Sequence, residues 1–564
     1  MAYKRLGDLL VGAGLIDDAT LGRALGLQKA SKKRLGEALI DSGIITQQQL
    51  IEALEVQLGV DFIDLSKTAL SPELAHLIPQ SMARKHQVVP VKAEKDEVWL
   101  AMSDPLNFVA VEDVKRATHR KVIPMIGTAE AVDRAIVSLY GSEGAARAIE
   151  EMRRETTAAA ETAQSVRANS LDEDDAHAAP SIRLVNSIIE QAVSERASDI
   201  HMEPREGEMV VRIRVDGMLR NLITVPRDLQ GSVISRLKVM GDMNTSERRI
   251  PQDGRANVIA KDHSVDLRIS TLPTIYGEKM VIRLLDRSLQ ITTRYDIGLD
   301  EHSMAVYDRL MRSTSGVILV AGPTGSGKSS TMSTMVRELN RESVNIVTLE
   351  DPVEYNIPGV NQCQINEKTG MTFSGGLRSI LRQDPDIISV GEIRDGETAE
   401  IAMRAAITGH LVLSTIHTSD CFATLDRLYD IGVQPYLTSS ALRGVVAQRL
   451  ARKLCPHCKR AYTPSAQELD LLRIEAEPGL QLYRSDGCSY CYHTGYYGRT
   501  GVFEVMLVDQ ELRPQITRRA TREELLATAQ RSGFRSLADQ CRRLVLEGVT
   551  SAEEAVRIVH STEE

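Results

Sequence analysis

No run of apolar residues in this sequence approaches the roughly 20 needed to span a bilayer. Its opening, MAYKRLGDLL, has neither a secretory hydrophobic region nor a small-residue cleavage site. Both absences predict a cytoplasmic chain that reaches a membrane only peripherally, through partners. A basic excess is missing too. The 68 Lys and Arg face 77 Asp and Glu, for a net charge of −9. A general nucleic-acid binder has the opposite balance, although a local basic groove stays open. Aromatics are scarce, at 4% with 14 Tyr, six Phe and one Trp, which leaves little surface for stacking bases. Cysteine is sparse as well. Of seven, four are paired as Cys455/Cys458 and Cys488/Cys491. In a cytosolic chain such pairs point to metal rather than to disulfides.

The 564 residues are too many for one core and suggest about three to five units. The first stretch holds a repeat. RLGDLLVGAGLIDDATLGRALGLQ covers 5–28, and RLGEALIDSGIITQQQLIEALEVQ covers 34–57. Leu21, Leu25, Leu50 and Leu54 fall at helical core spacing, and Asp17 and Thr46 are candidate helix starts. Strand-like and helical runs complete a small α/β domain over 1–140. Residues 141–180 are alanine-rich and polar, with an acidic run at Asp172–Asp175, and read as a flexible linker. A helix and alternating strands then predict a small α/β domain over 181–290. A larger α/β region follows over 295–564.

GPTGSGKS, from Gly322 to Ser329, fits G-x-x-x-x-G-K-[ST]. It follows the buried-strand run GVILVAG and precedes the helical STMSTMVRELN, which is the setting this motif needs. Backbone N–H groups of Gly322, Pro323, Thr324, Gly325, Ser326, Gly327, Lys328, Ser329 and Ser330 would surround the phosphates of ATP, proline excepted because it has none. Lys328 would reach the β- and γ-phosphates, and the Ser329 hydroxyl would ligate magnesium (Mg²⁺). Hydrolysis also needs carboxylates at the metal and at the attacking water. NIVTLEDPVEY supplies Glu350, Asp351 and Glu354, and DPDIISVGEIRD supplies Glu392 at the end of a buried strand. TGHLVLSTIHTSD adds His410 and His417. Each acid alone could be a solvated loop residue or a helix cap. Three polar strand ends after one phosphate loop point to catalysis.

From about 181 to 508 the chain resembles the secretion ATPases that power type II secretion and type IV pilus assembly. RIPQDGR, LRISTLPTIYGEKMVIRLL, GPTGSGKS, TLEDPVEY, LRSILRQDPDIISVGEIRD and TGHLVLSTIHTSD carry the resemblance. It implies a RecA-like core working as a homohexamer, beside an inner-membrane platform protein and a cytoplasmic adaptor at the N-terminal domain. It further implies Glu392 at Mg²⁺, Glu350 as first choice to activate water, and His417 at the γ-phosphate. Arg249, Arg255, Arg268 and Arg283 would reach phosphates from the smaller domain. Gly391 stands where many phosphate-loop proteins place an aspartate, so the metal shell stays open. A nucleic-acid motor with a RecA-like core and a nucleotide-dependent scaffold without turnover are the alternative readings. Pilus assembly and type II secretion are not separable from this sequence.

CPHC and CSYC, within 455–491, fit a closed tetrahedral zinc (Zn²⁺) site of Cys455, Cys458, Cys488 and Cys491. By the resemblance, such a motif belongs to assembly and secretion motors rather than to retraction motors. The leading repeat has a bland reading as two hairpins packing leucines. That does not explain why Arg5 and Gly7 recur as Arg34 and Gly36, or Gln28 as Gln57. A duplicated Arg–Leu–Gly suits a duplicated ligand, and arginine can take the guanine edge. The repeat and its five-residue spacer resemble the cyclic-di-GMP-binding N-terminal domain of the MshE type.

Overall fold

The computed structural model describes residues 60–140, 180–286 and 293–563, apart from a few single positions, with short pieces of the first sixty. By contacts along the backbone the chain divides into two compact units. One is Met1–Arg287 with Cys488–Tyr492, and the other is Ser288–Gly487 with His493–Glu564.

In the first unit, Leu10, Ile16, Ala24, Leu39 and Ile45 share a small core with Leu21 packed on it. Asp17 accepts the Thr20 amide at 2.8 Å and so opens a helical turn. Thr46, Leu25, Leu50 and Leu54 lie outside the described residues. Three strands follow: β1 (Val88–Ala93), β2 (Glu97–Met102) and β3 (Lys121–Ile126), in the order β1-β2-β3. β2 and β3 are parallel. The helix Phe108–Thr118 between them is capped by the Asn107 side chain and buries Ala110 and Val114.

A six-stranded antiparallel sheet comes next. Its strands are β4 (Ala197–Pro204), β5 (Glu208–Val215), β6 (Met218–Pro226), β7 (Gln252–Ala260), β8 (His263–Thr274) and β9 (Gly277–Asp286), in the order β6-β5-β4-β9-β8-β7. Helices Pro180–Ser194 and Arg227–Met240 bury Leu184, Ile188, Val233 and Leu237 in one core with Ile200, Met202, Ile269 and Ile282 of the sheet. Alternation along the strands therefore leaves the other face to polar side chains.

The second unit is built on β10 (Gly316–Ala321), β11 (Ile346–Glu350), β12 (Asn361–Gln364), β13 (Ile387–Val390), β14 (Leu411–Ile416), β15 (Leu442–Leu454) and β18 (Tyr496–Leu507). β16 (Lys459–Tyr462) and β17 (Leu482–Ser485) form a separate small hairpin. The large sheet runs β12-β11-β13-β14-β10-β15-β18. It is parallel from β12 through β15, and β18 is antiparallel to β15. β10, β13 and β14 are buried at every residue, as expected for strands covered on both faces. Two apolar cores lie on that sheet. One includes Leu319, Val390, Met403 and Leu425, and the other Tyr307, Ile318, Met335 and Leu413. Among the described residues no helix is long and apolar enough to cross a membrane.

Candidate nucleotide site

The parallel register brings the carboxyl ends of β11, β13, β14 and β10 side by side. Leu349 pairs with Val390, Val390 with Ser414, and Ala321 with Ile416. Ligands of open α/β sheets bind at that edge. The loop after β10 leads into the helix Lys328–Leu339, whose N-cap is Gly327. Pro323, Thr324 and Gly325 form the exposed rim, Gly322 and Ser326 are buried, and Ser329 is exposed at the helix start. Ser330 bonds the Tyr355 hydroxyl. Lys328 Nζ donates to Gly322 O at 2.7 Å and to Pro323 O at 2.9 Å. Its ammonium thus lies folded onto its own loop. Burial pushes its pKa down to about 8 against the pull of Glu392, and the Arg449 charge adds to the fall.

The three expected catalytic side chains occupy the neighbouring strand ends. Glu350 closes β11, and its Oε1 accepts Thr348 Oγ1 at 2.6 Å and Gln362 Nε2 at 2.9 Å. Glu392 follows β13, pairs with Arg394, and has Oε2 3.3 Å from His417 Nε2. Burial and the Lys328 charge outweigh Glu392 and hold the His417 pKa below its ordinary value. His410 stands at the other end of β14, with Nδ1 2.9 Å from Ala405 O, so the two histidines do not share a site. The glycine in the aspartate's usual place has a steric cause. A Cβ on Gly391 would stand 3.1 Å from Leu349 O, tighter than ordinary contact. The carboxylate comes one residue later, as Glu392.

Three of the four candidate arginines are brought into one row. Arg255 pairs with Arg268, and Arg268 with Arg283, across β7, β8 and β9. Like charges directly opposite are unfavourable without a counter-charge. Asp199, across from Arg283 on β4, supplies one, accepting Arg283 Nε at 3.3 Å. Arg249 is not in the row. It lies before β7, exposed, with Nε and Nη2 on the two oxygens of Glu247 at 3.0 and 2.7 Å.

The family model for type II/IV secretion system proteins matches residues 174–557, and the MshEN domain model matches 58–146. The chain belongs to the type II/IV secretion protein family. It is an ATPase of that family. It is 41% identical to the type II secretion system protein E of Pseudomonas aeruginosa, over 85% of this chain and 96% of that protein. It is 39% identical to the type IV pilus assembly ATPase PilB of Thermus thermophilus, over 90% of this chain, but spans only 57% of that longer protein. The solved ATPase DotB of Yersinia pseudotuberculosis has a TM-score of 0.51 at 21% identity, covering 70% of this chain and 96% of that one. That likeness concerns the fold, and the α/β, RecA-like, multidomain class expected from the sequence holds.

In this secretion-family chain the sulfurs of Cys455, Cys458, Cys488 and Cys491 lie within 4.8 Å of one another. Zn–S bonds of about 2.3 Å in a tetrahedron put sulfurs about 3.8 Å apart, and Cys488 Sγ is 3.8 Å from Cys491 Sγ. Four thiols so placed, three of them buried, fit Zn²⁺. Arg5, Gly7, Gln28, Arg34, Gly36 and Gln57 lie outside the described residues. Sequence reasoning missed the side chains that hold the site: Thr348 and Gln362 on Glu350, Arg394 on Glu392, and Thr415, whose Oγ1 donates to Gly391 O at 2.7 Å. It also missed Gln448, which touches the phosphate loop. For Thr348 and Thr415 the available signal was a polar residue inside an otherwise apolar strand.

Proposed function

We propose that this secretion-family ATPase works as a cytoplasmic homohexamer, peripheral to the inner membrane. It couples ATP hydrolysis to assembly of pilin or pseudopilin subunits, in type IV pilus biogenesis or type II secretion. The inner-membrane platform protein and a cytoplasmic adaptor at the N-terminal domain are its partners, and nucleic acid is not. The observation that carries the reading is the convergence of the phosphate loop, Glu350, Glu392 and His417 on the ends of four adjacent strands. Ser329 and Glu392 would hold Mg²⁺, which neutralises phosphate charge when bound. Glu350, fixed by Thr348 and Gln362, accepts the proton of the attacking water. His417 stands to position the γ-phosphate. The row of Arg255, Arg268 and Arg283, with Arg249, supplies positive charge from the smaller domain. The relatives with printed roles in pilus assembly and in type II secretion support the two machines equally. The MshEN match, together with the tandem motif, supports regulation by cyclic-di-GMP.

Lys328→Ala should lose nucleotide affinity and turnover together. Glu350→Gln should keep ATP bound and lose roughly a hundredfold or more in turnover. Equilibrium binding with labelled ATP and steady-state phosphate release check both. Near-normal turnover in Glu350→Gln with a dead Glu392→Gln would move the base to Glu392.

A further inference from the structure

β15 runs past the end of the phosphate strand beside it. Ala447 pairs with Ala321, the last residue of β10, so Gln448 continues alongside the phosphate loop. Gln448 is 1% exposed, and its Nε2 donates to Ser326 O at 2.7 Å. The acceptor is a carbonyl, so the amide nitrogen must face it. Oε1 is left on the other side, buried, and it finds no hydrogen-bond partner among the described residues. An uncompensated buried amide oxygen costs free energy, which marks this side chain as held for something other than packing. The loop lies directly on it: a Cβ on Gly327 would come within 3.0 Å of Gln448 Nε2.

We propose that Gln448 is a positioning residue for the phosphates of ATP, acting through the Ser326–Gly327 peptide. In a planar trans peptide the C=O and the following N–H point in opposite directions. Pinning the Ser326 carbonyl toward β15 therefore aims the Gly327 N–H away from β15, into the concavity of the loop. There it joins the N–H groups at the start of the helix Lys328–Leu339, where anions are bound. The pin is needed because Gly327, at φ +90°, has no Cβ to resist the peptide turning over. Gln448 touches neither the nucleotide nor the reacting atoms, so its effect falls on binding of the phosphates in ground state and transition state alike. KM for ATP then rises more than kcat falls.

The inference rests on the phosphate loop holding ATP, and the test separates the two. Full-length Gln448→Met, which keeps the volume and removes the donor, is compared with wild type and with Lys328→Ala. ADP affinity is measured by calorimetry, ATP turnover at steady state, and melting temperature without nucleotide. The expected result is an ADP affinity about tenfold weaker, the worth of one hydrogen bond to a charged group. KM for ATP should rise by a similar factor, with kcat within about threefold and the nucleotide-free melting temperature close to wild type. If Gln448→Met does not fold, Gln448→Leu decides by the same measurements, since its side chain has no donor for the Ser326 carbonyl. Normal ADP affinity and KM in the folded variant, with binding lost in Lys328→Ala, overturn the role of Gln448 alone. Lower kcat with affinity intact overturns it too and leaves a structural role. Normal binding by Lys328→Ala overturns the phosphate-loop reading itself.

Discussion

Lys328 gives its ammonium to two carbonyls of the phosphate loop, buried and with its pKa down at about 8. A nucleotide's phosphates would surround the same ammonium with negative charge and raise that pKa. The sign of the linkage follows. Below about pH 7 Lys328 is charged with or without ligand, so binding moves no proton and affinity is flat through this group. Above about pH 8 the free protein is largely neutral at Lys328 and the complex is charged. Binding then takes up a proton, and affinity falls as pH rises. ADP calorimetry at pH 8.5, in two buffers of different ionisation enthalpy, should give apparent enthalpies that differ by the uptake. Lys328→Arg should abolish the difference, because a guanidinium stays protonated in both states. Buffer-independent enthalpy in wild type would place the lysine's charge elsewhere.

At the scale of elements, the legible parts were those whose signal is local. A buried run, a glycine loop and a helical run sit within 25 residues, so the strand–loop–helix could be read directly. Buried strands ending in acids gave Glu350 and Glu392. Register was not legible. Arg255, Arg268 and Arg283 are spaced 13 and 15 apart, and alternation assigns each a face of its strand. Only the pairing of β7, β8 and β9 shows that they share one row. Gln448 was hidden for a related reason. Its partner Ser326 is 122 residues away, and nothing in VVAQRLARKL says that β15 lies next to β10. The clustering of the cysteine pairs was legible because two CxxC units carry their chemistry in their spacing. They bracket the hairpin of β16 and β17, whose apolar content is small, so a closed Zn²⁺ site would contribute folding energy there. One Zn²⁺ per chain by elemental analysis of the purified protein is expected. Cys458→Ser should lose the metal and lower the melting temperature. Full stability with no metal bound would exclude a structural site.

At the scale of the whole molecule, the catalytic unit and the N-terminal domain have separate cores, so a ligand on one can act on the other only by favouring one arrangement of the chain over another. A ligand shifts such an equilibrium by its differential affinity for the two states and by nothing more. This sets what cyclic-di-GMP should do to the full-length protein. Each half of the repeat, 5–28 and 34–57, would take one half of the ligand, with Arg5 and Arg34 on equivalent groups. A bidentate arginine contact to a guanine edge is worth about 1–3 kcal/mol. Arg5→Ala and Arg34→Ala should therefore weaken cyclic-di-GMP binding to similar extents, by roughly tenfold or more, and leave ATP affinity unchanged. Titration calorimetry on the two full-length variants, with ATP affinity measured in parallel, checks the claim. The symmetry of the two losses is its sharpest part, because a single-site contact would make one arginine matter and the other not. No heat and no competition with labelled cyclic-di-GMP, in a protein that still hydrolyses ATP, would leave partner docking as the role of the repeat.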